Sequence, residues 1–243
     1  MKRVSIMGAG RIGQPVIDFV RAGDPWHLAA VLVRRSRTAA EPEVTSIVED
    51  FLAQETDLMI DAAGPAALRA HGERALALAD LWTISGTALS DPALVQRLSQ
   101  VGEATGHRLR ILPGAIGGLD VVSALARDPS MRLAIHATSP GPIDAPANAF
   151  SGSARETSAR FANMLNVAAA AALAGPGLDA TSVTFTGDTE GRRHHLGVRA
   201  ESTYGRLSVD IDIPPDLGTG DHNPVSASII AALVRETQTI WVG

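Results

Sequence analysis

Two adjacent histidines, His194-His195, open a segment in which Leu196, Val198 and Ala200 alternate with Gly197 and Arg199. This is the two-residue period of a strand with one buried face. It sets His194 on the apolar side and His195 on the other, with Gly197 and Arg199. An imidazole beside an arginine and a glycine suits acid–base work near an anionic substrate. His195 is therefore the candidate acid–base residue, with His194 as the open alternative and Arg199 as a candidate carboxylate partner. The remaining five histidines, at 27, 71, 107, 136 and 222, show no metal-ligand spacing, so no metal site is expected.

The second chemical signal is Gly8-Ala9-Gly10-Arg11-Ile12-Gly13, which follows an apolar run and opens a helical pattern. In that setting Gly8 permits a tight turn, Gly10 lets the backbone approach a pyrophosphate, and Gly13 lets helix and strand pack closely. The N–H groups that follow, at Arg11 and Ile12, belong to a helix start that favours phosphate. A nicotinamide dinucleotide is the expected ligand. The next strand ends Val33-Arg34-Arg35-Ser36, with no carboxylate for a ribose hydroxyl. Two guanidinium groups suit a 2′-phosphate, so NADP is favoured over NAD, with Arg34 as the named contact.

Much other chemistry is excluded. The chain has no cysteine, hence no thiol nucleophile, disulfide or thiolate metal site. Lys2 is its single lysine, which argues against Schiff-base catalysis. No Gly-x-Ser-x-Gly elbow or triphosphate loop occurs. The formal charge of −5 offers no footprint for nucleic acid. The longest apolar run, Val167 to Ala174, is too short to span a bilayer, and the amino terminus does not read as a secretory signal. The expectation is a soluble cytoplasmic protein.

These residues need elements to position them. The first half alternates strands (Arg3–Met7, His27–Arg34, Leu58–Ala63, Leu81–Ser85, Arg108–Leu112) with helices (Gln14–Ala22, Val44–Gln54, Pro65–Ala79, Asp91–Thr105). Strands that are apolar on both faces and joined by helices predict a doubly covered parallel sheet. Ala63, Gly64, Ser85 and Ala115 then fall at or beyond its carboxyl ends, where the nicotinamide is expected. The second half predicts a strand at Leu133–Ala137, a long helix at Ser153–Ala174, and strands at Thr181–Thr186, His194–Glu201 and Leu207–Ile213. These form a smaller α/β unit with a mainly antiparallel sheet. The expected domains are 1–118 for the dinucleotide and 119–223 for substrate and dimerisation, with a final helix in 224–243 packing back on the first.

The chain resembles the L-aspartate dehydrogenase family from end to end. The likeness rests on Gly8 to Gly13, Pro113-Gly114-Ala115-Ile116-Gly117-Gly118-Leu119-Asp120, Phe150-Ser151-Gly152-Ser153-Ala154-Arg155-Glu156, Asn166-Val167-Ala168-Ala169, the His194-His195 strand and Asn223-Pro224. It implies a Rossmann domain, a homodimer, and NAD(P)-linked conversion of L-aspartate to iminoaspartate, then oxaloacetate and ammonia. It also implies a link to pyridine-nucleotide biosynthesis. Ala115 and Asn166 match the family's cofactor contacts, and its catalytic histidine falls at His195 or His194. The chain departs from the family pattern at Ala162, Met164 and Ser139. A dehydrogenase for another small amino or hydroxy acid, or a non-catalytic nucleotide sensor, stands as the alternative.

Overall fold

The computed structural model describes residues 2–23, 25–35, 41–140, 149–162, 165–188, 194–213 and 223–240. Contacts divide the chain into two compact units, Met1–Leu112 with Val225–Val242, and Pro113–Pro224.

The first unit runs β1 (Lys2–Met7), α1 (Gly13–Arg21), β2 (Trp26–Leu32), β3 (Val44–Thr45), α2 (Val48–Leu52), β4 (Leu58–Asp61), α3 (Pro65–Leu76), β5 (Asp80–Thr83), a 3₁₀ turn at Gly86–Ser90, α4 (Pro92–Thr105) and β6 (Leu109–Ile111). All its strand pairs are parallel, in the order β3-β2-β1-β4-β5-β6. The chain steps outward from β1 in both directions, which puts a topological switch point at the ends of β1 and β4. Separate apolar clusters cover the two faces: Val4, Ile6, Leu28 and Ile60 belong to one, and Met7, Leu32, Met59 and Leu81 to the other. Val44–Gln54, expected as one helix, begins instead with a two-residue edge strand. Val33 N–H donates to the Thr45 carbonyl, and the Thr45 hydroxyl accepts from Ile47 N–H before α2 starts.

The second unit carries α5 (Leu119–Leu125), β7 (Arg132–Pro140), β8 (Phe150–Ser153), α6 (Ala154–Arg160), α7 (Asn166–Ala174), β9 (Thr181–Asp188), β10 (His194–Ser202) and β11 (Gly205–Ile213). Its sheet has the order β11-β10-β7-β9-β8; only β7 and β9 are parallel. One face is apolar, with Ile135, Val183, Phe185, Leu196 and Val198 packed against Val122 of α5 and Ala168, Ala169, Ala171 and Ala172 of α7. The small alanine side chains let α7 approach α5 and α6 closely. The expected helix 153–174 is two helices. Phe161 leaves helical backbone so that its ring can meet Phe150 and Phe185 edge-on, at 5.4 and 5.0 Å between centroids.

The last helix, α8 (Pro224–Arg235), completes the core of the first unit with Ile229, Ala232 and Leu233. Trp26 Nε1 donates to the Leu233 carbonyl at 3.0 Å. Among the described residues no helix is long and apolar enough to cross a membrane.

Candidate functional site

In the first unit the three fingerprint glycines are required for three different reasons. Gly8 has φ of +99°, a conformation that disfavours any Cβ, and a Cβ there would also lie 2.8 Å from Ala63 Cα. At Gly13 a Cβ would lie 1.9 Å from the Gly8 carbonyl oxygen. At Gly10 it would meet nothing within 4 Å, leaving the backbone open on that side. Gln14 N–H closes the first helical turn on the Gly10 carbonyl, and the first turn of α1 holds no acidic residue to oppose an anion. Two glycines thus serve internal packing and one leaves a cradle, so this turn fits a dinucleotide pyrophosphate.

The floor under this turn is a buried carboxylate that sequence reasoning missed. Asp61 ends β4 beside Met7 and Thr83 and is fully buried. Its Oδ1 accepts from the N–H groups of Ala63 and Gly64 at 3.0 and 3.3 Å. Its Oδ2 accepts from the hydroxyls of Thr83 and Ser85 at 2.7 and 2.5 Å. Burial pushes the carboxyl above its ordinary range, and the donors from Ser85, Thr83, Ala63 and Gly64 pull it back. The available signal was an aspartate in the otherwise apolar run Leu58 to Ala63.

The remaining first-unit candidates are arranged as follows. Ala63 packs directly under Gly8, as the Gly8 geometry shows. Arg11 is exposed and Ile12 half-buried at the turn, and the Ile12 carbonyl accepts from the Ser226 hydroxyl of α8 at 2.8 Å. Arg34 and Arg35 are exposed just beyond β2. Ser36 lies outside the described residues, as do Met164 and His222. A groove at the amino ends of the same strands, lined by Lys2, Trp26, Trp82, Arg108 and Arg110, occupies the end where such folds do not bind nucleotides.

In the second unit Ala115 and Asn166 come from neighbouring segments. Ala115 follows Gly114, whose added Cβ would touch Val167 Cγ2 at 3.4 Å, next to Asn166 at the start of α7. Gly118 starts α5 in left-handed backbone and sits 3.3 Å, by the same measure, from Val209 Cγ2. These pieces therefore lie on the helix-covered face of the sheet. The Phe150-to-Glu156 motif is a helix cap: Ser153 and Glu156 exchange both hydrogen bonds of a capping box. Arg155 pairs with Asp179 at 2.6 Å.

The two histidines part company on β10. Leu196, Val198 and Ala200 are buried, and His194 opens the strand with their parity. His195 lies on the opposite, polar face. Its Nδ1 is 3.0 Å from Asp212 and its Nε2 3.4 Å from Asp210. Asp210 is held below its ordinary carboxylate range, chiefly by the Arg199 guanidinium 2.8 Å away. A side chain at Gly197 would clash with Asp210 Oδ1 at 2.9 Å, so glycine makes room for this network. Arg199 is thus engaged with Asp210 on the face away from Ala115 and Asn166. Among the described residues no cluster of three potential ligands could hold a metal.

Both units resemble known proteins. A family model described as "Aspartate dehydrogenase, C-terminal" matches residues 114–236, and one described as "Homoserine dehydrogenase, NAD binding domain" matches residues 8–112. An L-aspartate dehydrogenase of Ruegeria pomeroyi is 31% identical, over 96% of this chain and 92% of that protein. L-aspartate dehydrogenase 2 of Bordetella bronchiseptica is 33% identical over 99% of both. The solved aspartate dehydrogenase of Thermotoga maritima shares the fold with a TM-score of 0.79 over all of both chains, at 24% identity. The chain belongs to the L-aspartate dehydrogenase family.

Proposed function

We propose that the protein oxidises L-aspartate, with NADP or NAD as the electron acceptor. L-aspartate, water and oxidised dinucleotide give oxaloacetate, ammonium, reduced dinucleotide and a proton. The observation that carries the dinucleotide reading is the open backbone at Gly10, framed by Gly8 and Gly13, which cannot bear side chains. The substrate reading is supported by the likeness over nearly the whole chain.

Bound dinucleotide would supply the acceptor for the hydride leaving Cα. The chain's own work is then to bind, orient and move protons. The Gly8–Gly13 turn and the start of α1 hold the pyrophosphate. Arg34 and Arg35 receive the 2′-phosphate of NADP. Ala63, against Gly8 in the first unit, and Ala115 and Asn166, by family likeness in the second, are the further cofactor contacts. The acid–base duty was expected at His195, and the geometry favours His194. His194 shares the sheet face on which the Ala115 turn and the start of α7 lie. His195 has both ring nitrogens directed at carboxylates on the other face. His194 would activate the water that attacks iminoaspartate and return a proton to the departing ammonia. Family likeness also supports a cytoplasmic homodimer that feeds iminoaspartate to pyridine-nucleotide synthesis.

The test is absorbance of reduced cofactor on adding L-aspartate with NADP or NAD, then oxaloacetate plus ammonium in the reverse direction. Aspartate-dependent reduction, faster with NADP, is expected. Turnover with a different amino acid and none with aspartate would reassign the substrate. Cofactor binding without turnover on any amino acid would reject the enzyme reading.

A further inference from the structure

We propose that Asp61 acts as a fixed negative charge beneath the dinucleotide turn, making the site favour the oxidised over the reduced nicotinamide cofactor. The inference rests on the dinucleotide reading above and adds a residue and a property that this reading does not need.

Geometry carries the argument. Asp61 lies at the carboxyl end of β4, at the switch point beside β1. Its Oδ1 is bonded to the N–H of Ala63, and the Ala63 backbone is in direct contact with Gly8. One residue thus joins the carboxylate to the fingerprint turn. The same carboxylate ties the segment after β4 to the end of β5 through Thr83 and Ser85.

Four converging donors suit the charged form. Two of the four partners are backbone N–H groups, which can only donate. The Thr83 hydroxyl already accepts from Ser85 N–H at 2.9 Å, so its own hydrogen is free to go to Asp61. A protonated Asp61 could donate to the Ser85 hydroxyl oxygen, but the hydrogen of Ser85 would then have to leave Asp61, and one of the four converging donors would be lost. A buried charge is weakly screened, so its field reaches a neighbouring ligand far better than a surface carboxylate's does. Oxidised nicotinamide carries a positive ring charge and the reduced ring carries none. The field therefore separates the two redox forms, and a positioning role alone does not.

The test compares dissociation constants of NADP⁺ and NADPH, and of NAD⁺ and NADH, by titration calorimetry and cofactor fluorescence. In Asp61→Asn the preference for the oxidised form should fall by about tenfold relative to wild type. Equal loss of affinity for both forms would mean a purely structural role and overturn the proposal. Should Asp61→Asn not fold, Ser85→Ala withdraws one donor from the charge, and its oxidised-to-reduced ratio should depart from wild type. An unchanged ratio there overturns the proposal equally. If wild-type protein binds neither form, the dinucleotide reading itself fails, a result distinct from either of these.

Discussion

Asp61 and Asp210 show how differently the two sheets use the same side chain. The first sheet is covered on both faces, and its carboxylate sits among four donors with no counter-ion among the described residues. Burial there raises the pKa, so the ionised form costs stability as pH rises through the folded value. The second sheet has one open face, and Asp210 on it is lowered by Arg199. In the first unit, Gly8 and Gly13 leave no room for a side chain. In the second, the proposed roles of His194 and His195 differ by the face each occupies.

The sharpest test of that contrast is the histidine pair. His194→Ala should lower kcat by about 10²–10⁴-fold, the range for a lost acid–base group. His195→Ala, one residue on but across the sheet, should keep kcat within about tenfold. Steady-state rates with saturating cofactor decide it; the reverse ranking would return the role to His195.

Next in size is Gly13→Ala. A methyl group 1.9 Å from the Gly8 carbonyl must displace the turn. Overpacking of about 3 kcal/mol predicts dinucleotide binding weaker by about 100-fold, read by calorimetry on protein shown to be folded by circular dichroism. Near wild-type affinity would mean that the turn has slack, and the contrast between the units would dissolve.

The smallest effect belongs to Asp128. The Thr203 N–H and the hydroxyl and N–H of Ser130 hold its carboxyl well below the ordinary range. A lowered folded pKa gives stability that is complete above the unfolded value, near 3.9, and drains away as pH falls through the folded one. Asp128→Asn should therefore flatten the fall in urea midpoint between about pH 5 and about pH 3. A slope identical to wild type would deny it this role.

The parallel sheet was legible because apolar runs separated by helical patterns leave few alternatives, and the glycine turn because its spacing has a geometric cause. The break in the 153–174 helix was hidden. Phe161 fits a helical pattern equally well, and its ring partners Phe150 and Phe185 lie on strands outside that helix. The role of Asp61 was hidden for a related reason: its partners Thr83 and Ser85 come from the next strand. Strand parity correctly set the two histidines on opposite faces. It could not say which face the Ala115 turn shares, because that depends on where α5 and α7 pack.

The closure of the first unit by α8 has a consequence for biosynthesis. Trp26 bonds to Leu233, 207 positions away, and the fingerprint turn to Ser226, 214 positions from Ile12. A nascent chain leaving the ribosome therefore cannot seal its amino-terminal nucleotide fold when that half emerges. It must wait, incomplete and open to chaperones, while the whole second unit is translated and the final helix follows.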